Sequence, residues 1–245
     1  AAGTLDPAKM IAEFQRTSLA LRYSAVPTVA AVRGMALGGG CEFLLHCDRV
    51  VAALESHIGL VELGVGLVPA GGGTKEFALR AAAETGPGWL FDRIAQRFEL
   101  VGTAKVAGSA EEARELGFLR EADVVVFHPD ELLHVARAQA LALHESGYRP
   151  PRAPAGIPVM GATGIANIKA RLVNLLEGRF ISEYDFELAA RVADILCGGD
   201  VEEGERVNEE YLLALERKHF LELMAQEKTR ARIEHTLKTG KPLRN

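Results

Sequence analysis

Apolar positions change their period along this chain, and each change marks an element. Met10, Ile11, Phe14, Leu19 and Leu21 recur at helical spacing after Asp6-Pro7, a capping residue followed by proline at the first helical position. This predicts an amphipathic helix up to about Tyr23, stopped by Pro27. Residues 28–32 (TVAAV) form a short unbroken apolar run, a buried strand. A helix over 40–47, a strand at Arg49–Ala53 and a loop over 56–66 follow. The chain then turns at Pro69 and Gly71-Gly72-Gly73 into a helix through Phe77, Leu79 and Arg80. After the break at Gly86-Pro87-Gly88, Trp89, Leu90, Phe91 and Ile94 fit a helix that closes over an apolar pocket or packs in the core. Ser109-x-x-Glu112 reads as a capping box opening a helix over 111–116. Residues 123–127 (DVVVF) read as a strand, and Asp130 as the cap of a helix to about Leu141.

Strands alternating with helices put the first part of the chain in the α/β class. The proline-rich run 147–154 (GYRPPRAP) is the boundary candidate, dividing a core at 1–147 from a helical region at 148–245. In the second region the pattern predicts helices at 165–176, at 182–196 capped by Ser182 with Asp185, and one long helix over 208–239.

The chemistry concentrates between Gly34 and Thr74. Two glycine clusters, 38–40 and 71–73, each lie near a glutamate in an apolar or glycine-rich setting, Glu42 and Glu62, twenty residues apart. An unpaired carboxylate is costly in such a setting. A helix starting at Gly39 or Gly40 aims free N–H groups and its positive end at the turn, which suits a phosphate or a developing oxyanion. Two carboxylates over one such point could hold a water and move protons beside a carbonyl. The clusters could also be plain turns. GMALGGG misses the dinucleotide spacing, and GGGTK has Thr-Lys where a phosphate loop has Lys-Ser/Thr. Cys41 reads as a buried small hydrophobe, His46 as packing or capping, and Glu55 and Glu76 as surface charges.

GMALGGGCE, Asp48 six residues after the glutamate, and HIGLVELGVGLVPAGGGT together resemble the crotonase superfamily of enoyl-CoA hydratases and isomerases. The resemblance spans about residues 27–126 and implies a ββα spiral. It puts two acids on Glu42 and Glu62, an oxyanion amide on Gly39, and substrate- or water-binding backbone on Gly38, Ala70 and Gly71. Ala70 stands where the family usually has glycine, and keeps an amide N–H. The implied reaction is syn hydration of a 2-enoyl-CoA in fatty acid β-oxidation, Glu42 acting as base on water and Glu62 delivering the α-proton. Isomerases of this fold typically keep one acid.

The family has a longer stretch before the 28–32 strand, including the second oxyanion donor. The chain therefore resembles the C-terminal part of a bifunctional 3-hydroxyacyl-CoA dehydrogenase/hydratase, with the N-terminal part of the spiral missing. On that reading NAD serves only an upstream dehydrogenase, this chain carries no cofactor and no metal, and acyl-CoA is the substrate. The alternative is a catalytically incomplete module of this fold that serves assembly or docking, or an enoyl-CoA isomerase. The family's helical ends cover the site and build oligomers, so residues 148–245 are expected to do the same in a homo-oligomer.

Composition narrows the partners. Net charge is −5 with a pI near 5.9, which favours neither nucleic acid nor an anionic membrane. Hydrophobic residues are 48% of the chain and charged residues 25%, enough for a sizeable core. Three cysteines without His pairs fit a reduced, cytoplasmic setting better than disulfides or zinc. No apolar run is long enough to span a bilayer, and residues 1–10 lack signal-peptide features. The basic tail (Lys228, Arg230, Arg232, Lys238, Lys241, Arg244) could meet coenzyme A phosphates or be a solvated last helix.

Overall fold

A computed structural model of the chain describes residues 6–84 and 90–245. The elements in order are α1 (Pro7–Arg22), β1 (Val29–Val32), β2 (Met35–Leu37), α2 (Gly39–His46), β3 (Arg49–Ala53), β4 (His57–Gly59), a 3-10 turn (Glu62–Val65) and α3 (Gly73–Glu84). Then come α4 (Leu90–Gly102), β5 (Val106–Ala107), α5 (Ala110–Glu115), β6 (Val124–Val126) and α6 (Leu132–Glu145). The last stretch holds β7 (Ile157–Pro158), α7 (Gly161–Glu177), α8 (Glu183–Cys197), β8 (Arg206–Val207), α9 (Glu209–Met224) and α10 (Glu227–Thr239).

The strands build a spiral. One sheet has the order β1-β3-β6, all parallel, with Val29 opposite Arg49 and Val51 opposite Val124. The second has the order β2-β4-β5, with Met35 opposite His57 and an antiparallel β5. β1-β2-α2 and β3-β4-α3 each contribute one strand to each sheet before the helix, and β5 and β6 complete the two sheets with α5 between them in the chain. In β3 the alternation sends Val50 and Ala52 into the main core and Val51 and Ala53 into a smaller cluster with Val126, Leu132 and Ala136 of α6. Both faces are covered, so the strand reads as a continuous apolar run. The outer edge of β1 pairs with no strand among the described residues. Asp48 ties β1 to β3, accepting from the Thr28 amide at 2.8 Å, the Thr28 hydroxyl at 3.0 Å and the Tyr148 hydroxyl at 3.0 Å.

The helices after 148 pack back on the spiral, and one apolar cluster runs from Ile11 through Phe77 to Leu223. The Ser182/Asp185 capping box forms with both bonds, 3.1 and 3.2 Å. Several expectations are corrected. At 109–112 only half the box closes: Ser109 accepts from Glu112 N, but Glu112 reaches the Gly108 amide instead of that of Ser109. Asp130 does not cap α6; a 3-10 turn at Pro129–Glu131 leads into it, with the His128 side chain accepting from Asp130 N. The long helix over 208–239 is two helices, with Gln226 extended at the position just before α10. The break lets α10 swing Thr229 onto the Gly66 carbonyl at 2.7 Å and Arg232 onto Asp185 at 2.9 Å. A straight continuation would leave both buried groups without partners. Trp89, expected in the helix over the pocket, lies outside the described residues.

Candidate functional site

Glu42 is held by its position one turn into α2. Gly38, at φ +54°, takes a backbone conformation that side chains disfavour, and its amide donates to Gly59 O at 2.9 Å. This turn points the start of α2 inward and buries Glu42, 4% exposed. One oxygen, Oε1, accepts from both Gly71 N at 2.8 Å and Gly73 N at 2.9 Å. Oε2 accepts from no group among the described residues. Burial pushes the Glu42 carboxyl up to about 7, with the Gly73 and Gly71 amides and Lys75 pulling against it.

Glu62 opens the 3-10 turn and comes back over Gly38. A Cβ added at Gly38 would lie 3.2 Å from Glu62 Oε1, so the carboxylate rests on that glycine. Its Oε2 is shut off from solvent and has no hydrogen-bond partner among the described residues. Burial, then the charge of Glu42, raises its pKa well above the carboxylate range. The two acids are thus neighbours, both pushed up by burial, Glu42 to about 7 and Glu62 further helped upward by the charge of Glu42.

The amides of Gly39 and Ala70 donate to no group among the described residues. Phe14 of α1 lies over both glycine clusters, stacked on Phe43 at 4.4 Å between ring centroids. A Cβ at Gly39 would come to 3.0 Å from its ring and one at Gly71 to 2.1 Å. Glycine is required at 71 for this close approach, while Ala70, buried beside it, has room for its methyl. The structure therefore brings Glu42, Glu62, Gly38, Gly39, Ala70 and Gly71 around one point.

Sequence reasoning missed the shell of buried charges behind these residues. Glu76 is not a surface charge: it is 1% exposed and meets Arg22 at 2.8 Å and Lys75 at 2.6 Å. Lys75 is fully buried and spends its three donors on Glu76, on Glu209 at 3.0 Å and on His46 Nε2 at 3.0 Å. His46 must then accept through Nε2 and donate from Nδ1 to Glu42 O at 2.7 Å. Burial holds its pKa down at about 4, which keeps this neutral tautomer. Glu216 of α9 is also fully buried and accepts from Gly72 N at 2.8 Å and Lys75 N at 2.7 Å. A signal was present: Glu209 and Glu216 lie seven apart, on the same stripe as Leu212, Leu213, Phe220 and Leu223. The basic tail is partly structural, since Arg232 and Arg244 both pair with Asp185 at 2.9 Å.

A cavity of about 530 Å³ opens beside Leu63 and Gly64, directly after Glu62. Phe98, Ile168, Leu172 and Leu188 form much of its wall, with Arg171 and Arg244 also in its lining. Among the described residues no cluster of three or more His, Cys, Asp or Glu could hold a metal ion, and no helix is long and apolar enough to cross a membrane.

The family described as enoyl-CoA hydratase/isomerase matches residues 4–147. The chain belongs to this family. Among its relatives, a protein of Bacillus subtilis (strain 168) named "Probable 3-hydroxyacyl-CoA dehydrogenase" is 42% identical over 239 residues, 96% of this chain and 30% of that protein. A "Crotonyl-CoA hydratase" of Syntrophomonas wolfei is 38% identical over 107 residues, 44% of this chain and 35% of that protein. The chain thus spans about a third of the length of these relatives. The crystal structure of an enoyl-CoA hydratase from Mycobacterium avium subsp. paratuberculosis superposes with a TM-score of 0.57 at 18% identity, over 97% of this chain and 73% of that one. That likeness shows the crotonase fold, in the α/β class.

Proposed function

We propose that the site catalyses syn hydration of 2-enoyl-CoA thioesters in fatty acid oxidation. The observation that carries this reading is the placement of two neighbouring carboxyls at the glycine turns. Glu42 rests Oε1 on the Gly71 and Gly73 amides and leaves Oε2 free among the described residues, and Glu62 rests on Gly38, with burial pushing both carboxyls up. Glu42 Oε2 takes a proton from water as the water oxygen bonds to C3 of the substrate. The C2–C3 double bond opens toward the thioester carbonyl, whose developing oxyanion accepts from the Gly39 N–H. Glu62 gives its proton to C2, and the Ala70 N–H holds the incoming water. The net change is addition of H and OH to one face, and the two carboxyls return to their starting states by passing one proton from Glu42 to Glu62. The acyl chain runs past Leu63 and Gly64 toward the cavity.

A second oxyanion donor is expected from residues outside this chain. The length of the Bacillus subtilis relative and its name support a larger polypeptide that also holds an NAD-dependent dehydrogenase. This chain itself needs neither cofactor nor metal for the step described. An assembly role for residues 148–245, and a homo-oligomer, are part of the same proposal.

The test is crotonyl-CoA hydration by the naturally expressed protein and its Glu42→Gln and Glu62→Gln variants. Each swap is nearly isosteric and removes one proton-transfer group, so a loss of roughly 10²–10⁴-fold in kcat is expected. The double variant should lose little more than either single one, because the two acids act as a unit. Near-normal turnover in both single variants overturns the assignment.

A further inference from the structure

We propose that Glu216, on α9, is a positioning residue for this reaction: it takes two amides of the glycine turn so that Glu42 keeps one oxygen free for the water. The inference rests on the hydratase reading and assigns a role to a residue outside the acid pair.

The geometry is an interleaved division of donors. Four N–H groups of the turn at 71–75 point at two carboxylates. Glu42 Oε1 takes residues 71 and 73, and Glu216 takes residue 72 on Oε2 and residue 75 on Oε1. All four amides lie in buried residues, so each needs an acceptor. Without Glu216, the amides of Gly72 and Lys75 lose theirs, and Glu42 is the nearest remaining carboxylate on the same turn. A shift of Glu42 Oε2 toward Gly72 would satisfy the backbone and remove the oxygen that faces the substrate.

A second contact carries the same device to the water site. Gln15 Nε2 donates to Ala70 O at 2.7 Å and to Leu213 O at 3.0 Å, with Glu216 Oε2 at 3.4 Å. One α1 side chain thus links α9 to the peptide group next to the amide assigned to water. The role is therefore positional and not a proton transfer, since both oxygens of Glu216 are taken by backbone amides of the turn. The charged groups around Glu216 are Glu42 from α2, Lys75 from α3 and, farther off, Glu62 from the 3-10 turn. Burial and the charge of Glu42 push Glu216 up to about 8, against the pull of Lys75 and the two amides. Its charge in turn helps raise Glu62.

The experiment compares Glu216→Gln, Glu216→Leu and Leu223→Ala with the parent in the naturally expressed protein, using crotonyl-CoA. Leu223 is buried on the same helix, seven residues past Glu216, and makes no hydrogen bond to the turn, so it reports what loosening α9 does alone. Expected for Glu216→Leu is a fall of roughly 10- to 100-fold in kcat with KM within about threefold, the signature of an interaction felt in the transition state. Glu216→Gln keeps one acceptor and should recover part of that loss. Both should move the alkaline limb of the pH profile toward acid, because the charge that Glu216 gains above about 8, and that raises Glu62, is gone. Hydrogen exchange at residues 71–75 should speed up in both variants and not in Leu223→Ala. Unchanged kcat, an unmoved pH profile and unchanged exchange in Glu216→Leu overturn the proposal, as does an equal kcat loss in Leu223→Ala. Failure of the hydratase reading looks different: the parent, and not only the variants, fails to hydrate, or Glu42→Gln turns over normally. Exchange at 71–75 then still decides whether Glu216 holds the turn.

Discussion

Replacing Gly71 with alanine tests the packing on which the acid pair depends. An added Cβ would stand 2.1 Å from the Phe14 ring and 2.7 Å from Glu42 Oε2, both closer than real contacts allow. Phe14 is only half-buried, so it can retreat, but it gives up its stack on Phe43. Glu42 cannot move away without lengthening its bonds to Gly71 N and Gly73 N. Overpacking of this kind costs about 1–3 kcal/mol. In a domain of this size each kcal/mol lowers Tm by roughly 2–4 °C, so a drop of about 2–12 °C is expected in a thermal melt. Hydration should fall by roughly 10²-fold, since a displacement near 1 Å at the reacting groups has that effect. Gly40 is the control. A Cβ there meets nothing within 4 Å, and alanine in a helix is favoured over glycine, so Gly40→Ala should gain roughly 0.5–1 kcal/mol. Adding Phe14→Ala to Gly71→Ala should relieve part of the stability loss, with a coupling of about 0.5–3 kcal/mol, while leaving hydration impaired because the Glu42 contact remains. The reasoning is refuted if Gly71→Ala melts and turns over like Gly40→Ala.

Stability should fall as pH rises from about 6.5 to 8. Glu42 and Glu216 hold protons in the folded state up to about 7 and 8, whereas unfolded glutamates lose theirs near 4.5; the folded state binds more protons in that window, so the slope is negative. Between about 4.5 and 6.5 unfolded His46 takes a proton that the folded protein refuses down to about 4, which offsets one of the two glutamates and makes the fall shallower without reversing it. Melts across pH 5–8.5 should show stability falling from pH 5, more steeply above about 6.5, and Glu216→Gln should flatten the alkaline side; a curve that rises steadily to pH 8 would contradict the assignment. Lys75→Met should destabilise by about 3–5 kcal/mol in denaturant titration, since it removes the fully buried cation between Glu76 and Glu209 and leaves Arg22 as the cation they still share. A loss below about 1 kcal/mol would mean the buried network is not the support described here.

The acid pair and the first half of the fold were legible because they announce themselves locally. Glycines mark the two turns, and Glu42 and Glu62 stand in apolar sequence where a bare charge is conspicuous. The shell behind them was not, because each member looks ordinary in its own segment. Glu76 has lysine beside it and arginine four residues on, the sequence of a solvated helix, and only the approach of Arg22 from α1 shows it to be buried. Glu216 sits 174 residues from Glu42, and nothing local tells that one turn will receive both. The break at Gln226 has no proline or glycine to mark it; it exists because Thr229 and Arg232 find buried partners on Gly66 and Asp185. Short strands such as Met35–Leu37 and Val106–Ala107 are set by their neighbours, and two or three residues carry no usable period.

The central claim, two carboxyls adding water across a double bond on one face, is tested most directly by running crotonyl-CoA hydration in D2O and reading the product by NMR and mass spectrometry. The account predicts 3-hydroxybutyryl-CoA with a single deuterium at C2, on the same face as the new hydroxyl, and its loss in both Glu42→Gln and Glu62→Gln. Deuterium entering recovered crotonyl-CoA or a shifted double bond with no 3-hydroxyacyl product would contradict it and leave proton movement without hydration as the chemistry of this site.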